Sequence, residues 1–298
     1  MVDIDLNLDG HHQIVQHLTS SDNADIFLGR PKDMTDGDRL IAIKILRPEK
    51  CDDRRVKRFV AEAEFLSAIN FSGIVSVIEY GHSEDNRPYM VMPFYAGNLT
   101  REMGHDDAGK GTGKGDSQEQ AVCLEYRRVK QIFRDVLNAL IPIHQMDMVH
   151  RDIKPSNIFL NDRIGGAVTL ADFGLLKNPH DPRFQDKIWM GSDHYAPPEQ
   201  RTDSRTVDGR ADLYALAVVA YRALTGRFPG KMAPPLRNLG LAVPTGFCHL
   251  ISDCLERNVR QRPRTSIDAL IRLGEIDDRK IRVPKPRPQF LSGKTLPV

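Results

Sequence analysis

The apolar residues of this chain change period once, near Tyr95, and that change limits the folds open to it. Before it, the stretches HQIVQHLTSS, ADIFLGRP and RLIAIKILRP alternate or carry β-branched residues, which predicts three strands. RRVKRFVAEAEFLSAIN places Phe59, Ala63, Leu66 and Ile69 on one side of a helix. IVSVIEYG and PYMVMPFY predict two further strands. After Tyr95 the spacing becomes helical. AVCLEYRRVKQIFRDVLNALIPIHQM is a long amphipathic helix, with Pro142 placed to kink it near its end. GRADLYALAVVAYRALTG is apolar almost all round, as a buried helix must be, and Gly226 stops it. Two more helices fit Phe247–Glu256 and Ser266–Gly274. A unit of five strands and one helix followed by a helical unit is an α+β arrangement in two lobes.

Two stretches follow neither period. Gly104–Gln120, GHDDAGKGTGKGDSQEQ, is rich in glycine and charge, and reads as a flexible insertion. The end of the chain from Val283, VPKPRPQFLSGKTLPV, reads as a solvated extension rather than a docking peptide. The 298 residues suit one large domain or two lobes. Lys and Arg number 42 against 40 Asp and Glu, with no basic stripe, so no nucleic-acid partner is expected. No apolar run approaches the ~20 residues that cross a bilayer. The acidic start MVDIDLNLDGHH lacks the apolar stretch of a secretory leader, so the expected location is cytoplasmic. Cysteines at 51, 123, 248 and 254 have no close-paired spacing and read as reduced thiols rather than disulfides or a zinc site. His11 and His12 read as a solvated pair rather than a metal site.

Between the long helix and a predicted strand lies VHRDIKPSNIFL, Val149–Leu160, with Asp152, Lys154 and Asn157 on one short loop. Such a spacing arises by chance; its order among other blocks does not. IAIK precedes it on a strand. ADFG follows the short strand AVTL, and then come GSDHYAPPE, ADLYALA with Asp212, and NVRQRP with Arg262. Blocks in this order resemble the eukaryotic-like protein kinase family, over roughly Gln13 to Leu273. The compact size and the EAEFLSAIN helix are similar to bacterial members.

The resemblance implies a bilobal protein-kinase-like fold: an N-lobe over 13–93 behind an extension at 1–12, a hinge at 94–97, and a C-lobe over 98–282 that carries the 104–120 insertion and precedes the 283–298 tail. It implies transfer of the γ-phosphoryl group of ATP, with Mg²⁺ or Mn²⁺, to Ser or Thr hydroxyls of protein substrates. Asp152 would orient the attacking hydroxyl and Lys154 would offset charge on the moving phosphoryl. Asn157 and Asp172 would hold the metal, as hard oxygen donors suit a small hard cation. Lys44 would hold the α- and β-phosphates. Its partner would be Glu62, which lies within the apolar stripe and faces inward; Glu64, two residues on, reads as a solvated surface acid. Leu18, Ile26 and Ala42 would cover adenine, Phe159 would lie beneath it, Met92 would stand at its back, and the backbone of Pro93 and Tyr95 would read its edge. Glu199 with Arg262, Asp212, and the stack Leu66, Val77, His150 and Phe173 would support the fold.

Three departures stand out. Where the family carries G-x-G-x-x-G over the phosphates, this chain has TSSDNA, with Thr19, Ser21 and Ala24 at the glycine positions and the acidic Asp22 beside them. The segment Leu175–Met190 has no Ser, Thr or Tyr to take a regulatory phosphate. Asp181 or Asp186 would supply a fixed carboxylate to Arg151 instead, or both are solvated. Ser192 stands for the usual Thr, and Pro197 for Ala. The rival readings are a scaffold that binds nucleotide weakly without efficient turnover, which the missing glycines favour, and a small-molecule kinase, which Lys154 and GSDHYAPPE oppose. Neither the protein substrate nor the oligomeric state can be read from the chain.

Overall fold

A computed structural model of the chain describes residues 8, 12–32, 40–104, 122–161, 165–181, 183, 194–203, 206–230 and 236–279. Five antiparallel strands, β1 (His12–Ser20), β2 (Ala24–Pro31), β3 (Ile41–Leu46), β4 (Glu79–His82) and β5 (Pro88–Pro93), form one sheet in the order β1-β2-β3-β5-β4. The period of two sorts β3 into two faces. Ile41, Ile43 and Ile45 join Phe27, Tyr89, Val91 and Leu8 in a cluster on one side. Ala42 and Leu46 face the other way, into the main core, as do Met90 and Met92, their neighbours on β5. Lys44 lies between Ala42 and Leu46 on that inner face, opposite Met90.

Helix α1 (Asp53–Ala68) packs on this inner face. It starts where the Asp52 carboxylate accepts the Arg55 amide, a side-chain cap for an end that has no intrahelical acceptor. Phe59, Ala63 and Leu66 are buried along its stripe.

One expected strand is shorter than the sequence suggests. In IVSVIEYG only Glu79–His82 joins the sheet. Gly73, at φ 81°, turns the chain, and Val75 then donates to Leu170 O at 2.9 Å. The backbone at Gly73 and Val75 therefore bonds downward, to the second half of the molecule, and only from Ile78, which donates to Val91 O at 2.7 Å, does the chain return to the sheet. The burial of Val75 and Val77 made it look like sheet.

The second half is built on helices α3 (Tyr126–Gln145), α5 (Arg210–Thr225), α6 (Thr245–Cys254) and α7 (Ser266–Gly274), with short α2 (Thr100–Met103) and α4 (Pro198–Thr202). Pro142 stands inside α3, which continues past it to Gln145. Thirteen residues of α5 are buried, and α3 and α6 pack against it. Gly226 ends α5 at φ 69°, a left-handed cap that glycine adopts without strain. A two-stranded hairpin, β6 (Ile158–Leu160) and β7 (Val168–Leu170), lies between the sheet and the helices, and one apolar core runs through both halves. The 105–120 part of the expected insertion and the tail from Val283 lie outside the described residues.

Candidate active site

The loop that carries Asp152 is shaped by a residue far along the chain. Asp212, wholly buried on α5, accepts the amides of His150 and Arg151, each at 2.9 Å, and His144 Nε2 lies 2.9 Å from its Oδ2. Burial pushes the Asp212 pKa up, but the His144 hydrogen bond, with the Arg151 amide and the electrostatics of His144 and His150 beside it, outweighs that, so the carboxylate is held below its usual range. These bonds hold Arg151 at φ 69°, a conformation costly for a residue with a Cβ. Gln200 on α4 donates to Arg151 O at 2.7 Å.

Beyond this bend three side chains converge. Lys154 Nζ donates to Asp152 Oδ2 at 2.8 Å, and Asn157 Nδ2 donates to the same oxygen at 3.0 Å and to Asp152 O at 2.9 Å. Asn157 has thus turned its amide nitrogen toward Asp152, which leaves Oδ1 as the oxygen a cation could use.

Above the loop, Lys44 Nζ donates to both oxygens of Glu62, at 3.1 and 3.2 Å, and to Asp172 Oδ1 at 3.1 Å. The Glu62 side chain is 4% exposed and that of Asp172 is 43% exposed, so the first is closed off and the second opens on the cleft. Burial opposes the Lys44 charge, but Asp172 and Glu62 overcome it and the pKa is raised. The Lys44 charge in turn draws Asp172 down to about 2. For Glu62, burial dominates and its pKa is raised. Asp172 also sits at positive φ, 62°.

Side chains from both halves brace this arrangement. His150 and Phe173 meet edge to face with ring centres 4.6 Å apart, beside Leu66 and Val77, and all four are buried. Arg58 on α1 donates through Nε to Gly174 O. Burial, then the neighbouring Arg151, draws its guanidinium down to about 10. Arg262 grips Glu199 with two nitrogens, at 2.6 and 3.0 Å, and lies over the Tyr214 ring.

The apolar residues singled out in the sequence flank the strand that joins the halves. Ala42 pairs with Met92 across β3 and β5, and Ile26 stands opposite Lys44. Leu18 falls at a register shift between His17 and Thr19 and is more exposed than the others. Pro93 and Tyr95 follow on the joining segment. Phe159 comes from the lower hairpin, and its ring stands 5.2 Å from that of Tyr95.

TSSDNA forms a closed turn between β1 and β2. Ser21 donates its amide to Ala24 O at 2.8 Å, and its hydroxyl accepts the Ala24 amide at 3.0 Å. Ser20 Oγ donates to Asp25 at 2.6 Å. Two of the amides available to an anion are therefore committed within the hairpin.

Glu64 is the surface acid expected, though paired: Arg183 Nη1 lies 2.7 Å from its Oε2. Two other expectations need correction. The Asp181 carboxylate binds Arg183, while Arg151 donates to the carbonyls of Leu175 and Leu176, at 2.6 and 3.3 Å. Asp186 and Ser192 lie outside the described residues. His12 is not solvated: its side chain is 9% exposed and its Nε2 lies 3.1 Å from Glu79 Oε2, while His11 lies outside the described residues. His144 and Gln200 were missed as supports of the loop. The His144 position in the last turn of an amphipathic helix carries no mark that distinguishes it from a surface histidine.

The profile of the family described as "Protein kinase domain" matches residues 32–270. Serine/threonine-protein kinase Pkn1 of Myxococcus xanthus is 36% identical over 225 residues, 74% of this chain and 29% of Pkn1. A probable serine/threonine-protein kinase PknB of Lactococcus lactis is 27% identical over 268 residues, 84% of this chain and 39% of that protein. The chain thus spans well under half the length of these curated relatives. The solved PknI kinase domain of Mycobacterium tuberculosis has the same fold, with a TM-score of 0.62 at 23% identity, over 89% of this chain and 95% of that one.

Proposed function

This chain belongs to the protein kinase domain family, and from that membership we propose that it transfers the γ-phosphoryl group of ATP to Ser or Thr hydroxyls of protein substrates. The observation that carries the reading is the bridging of Lys44 to Glu62 and Asp172 above an Asp152 held by Lys154 and Asn157. Phosphoryl transfer asks little covalent chemistry of a protein and much positioning.

Asp152, its carboxylate held by Lys154 and Asn157, orients the substrate hydroxyl and takes its proton as the hydroxyl oxygen bonds to the γ-phosphorus and the bond from that phosphorus to the bridging oxygen breaks, with ADP leaving. Lys154 offsets the charge that spreads over the phosphoryl oxygens. Lys44, fixed by Glu62, reaches the α- and β-phosphates. Asn157 Oδ1 and the Asp172 carboxylate, both hard oxygen donors, would hold a Mg²⁺ ion. Bound there, the ion neutralises charge on the phosphates. Leu18, Ile26, Ala42, Met92 and Phe159 enclose adenine, with the backbone of Pro93 and Tyr95 at its edge.

We assign residues 13–93 to the nucleotide-covering lobe, 94–97 to the hinge and 98–282 to the substrate lobe. The four free thiols support a reducing, cytoplasmic setting. Among the described residues no helix is long and apolar enough to cross a membrane.

One observation favours the second reading, a scaffold with little turnover: the amides of Ser21 and Ala24 are used inside the hairpin. Labelled ATP and a generic protein substrate separate the two, with Asp152→Asn run beside the wild type. Labelled phosphoserine or phosphothreonine from the wild type alone supports the kinase. Equal background from both leaves the scaffold.

A further inference from the structure

Helix α1 is joined to the segment after Asp172 at two points. Near its start Arg58 donates to Gly174 O. Further along, on the side away from Lys44, Glu64 meets Arg183. Arg183 is itself held in place: the Asp181 carboxylate accepts its Nε at 3.1 Å, its Nη2 at 2.8 Å and its backbone amide at 2.9 Å. Asp181 donates its amide to Asn178 O at 3.3 Å, and Asn178 Oδ1 accepts the His180 amide at 2.9 Å. The preceding residue, Lys177, exchanges two backbone hydrogen bonds with Val149, at 2.7 and 3.1 Å. Polar contacts therefore run without a break from Val149, three residues before Asp152, to the outer face of α1.

We propose that Arg183 is a positioning residue, which seats α1 through Glu64 and so keeps Glu62 against Lys44. Any displacement of α1 that parts Glu62 from Lys44 also parts Glu64 from a guanidinium anchored on Asp181. The segment Leu175–Met190 offers no hydroxyl for phosphorylation, so a fixed ion pair holds the helix without a covalent mark. The catalytic meaning of this role rests on the kinase reading; the seating of α1 does not, and it can be measured without turnover.

Both side chains are more than a third exposed, at 36% for Arg183 and 41% for Glu64, so the pair biases the position of α1 rather than locking it, and salt weakens it. The test is a cycle of Arg183→Ala, Glu64→Ala and the double variant in the full chain, with Arg183→Lys as the charge-keeping control. Each alanine variant is expected to lower kcat about two- to fivefold, with KM for the protein substrate unchanged. The double variant should lose no more than the worse single, Arg183→Lys should recover part of the rate, and high salt should bring the wild type down to the variants. Hydrogen exchange of the α1 amides should quicken in both single variants. Full kcat in Arg183→Ala, additive losses in the double variant, or unchanged exchange of α1 would overturn the proposal. If the wild type shows no turnover, the exchange measurement decides alone: faster exchange upholds the seating while the kinase reading falls, and unchanged exchange overturns it.

Discussion

Asp152 accepts hydrogen bonds from Lys154 and Asn157 through the same oxygen, Oδ2. That fixes the carboxylate plane before any substrate arrives. Asp152→Asn keeps the shape but removes the base, so kcat should fall by about a hundredfold or more, as for the loss of a general base, with ATP affinity nearly unchanged. Rate measurements paired with calorimetry check both halves of that statement. Ser21 makes the opposite kind of case. Its hydroxyl closes the β1–β2 turn upon Ala24 instead of pointing at an anion. Replacing Thr19 and Ser21 by Gly frees the Ala24 amide and lets the turn approach phosphate. A gain of roughly 1–2 kcal/mol, the order of one charge-assisted hydrogen bond, would tighten an ATP analogue some five- to thirtyfold. Asp22→Asn should act in the same direction. Unchanged calorimetric affinity in both variants would mean that the turn does not limit binding. The residues proposed for catalysis could be picked out because each belongs to a block of fixed internal spacing. Arg183 was not, since its meaning depends on which acid the segment meets in space.

Helix α5 is the element on which the site depends most. It brings Asp212 under the loop, and its first turn packs against α3 so closely that a Cβ at Gly209 would stand 2.7 Å from His144 Nδ1. An imidazole ring cannot yield to that without leaving Asp212. Gly209→Ala should therefore destabilise the protein by about 1–3 kcal/mol, the usual cost of overpacking, and lower activity with it. In a cycle with His144→Ala the two losses should not add, because the alanine removes the ring that the new methyl strikes. Denaturant midpoints for the four proteins give the coupling directly. The helices themselves were plain in the sequence, their ends less so: α7 has the expected ends and α5 differs by one residue at each end, but α3 begins only at Tyr126, after the non-helical residues 122–125, and α6 lies two residues earlier than expected. Residues 74–77 misled because an apolar run is common to a central strand and to a linker threaded through a core, and only the hydrogen-bond partner, Leu170 for Val75, separates them.

Across the whole molecule one apolar core links sheet and helices, and the thiols report on it. Cys248 and Cys254 are buried in that core, Cys123 is exposed and Cys51 lies between. Burial pushes the Cys254 thiol up to about 12. Its folded pKa lies above its unfolded value of ~8.5, so the unfolded chain loses the proton first, and stability falls as pH rises between those values. A thiol reagent at neutral pH should label Cys123 at once, Cys51 more slowly, and Cys248 and Cys254 only on unfolding. Rapid labelling of all four in the native protein would contradict the packing. The two-lobed plan was legible from the change of period at Tyr95, and Leu66, Val77, His150 and Phe173, expected as a stack that links the lobes, are all buried; the backbone link from Val75 to Leu170 was not legible, because it depends on segments far apart in the chain meeting side by side.

Arg151 and Asp172 both hold left-handed backbone that neither would choose alone, at a cost of about 1–3 kcal/mol each. Asp212 and Gln200 impose the first shape, and Lys44 restrains the second. The information for the reactive geometry is therefore stored outside the reactive loops, in a buried helix and a strand of the sheet. Loosen either depot and the loops relax toward ordinary conformations while most of the chain is still folded. Turnover should then behave as an early alarm, fading in denaturant before the far-ultraviolet signal of the helices begins to move.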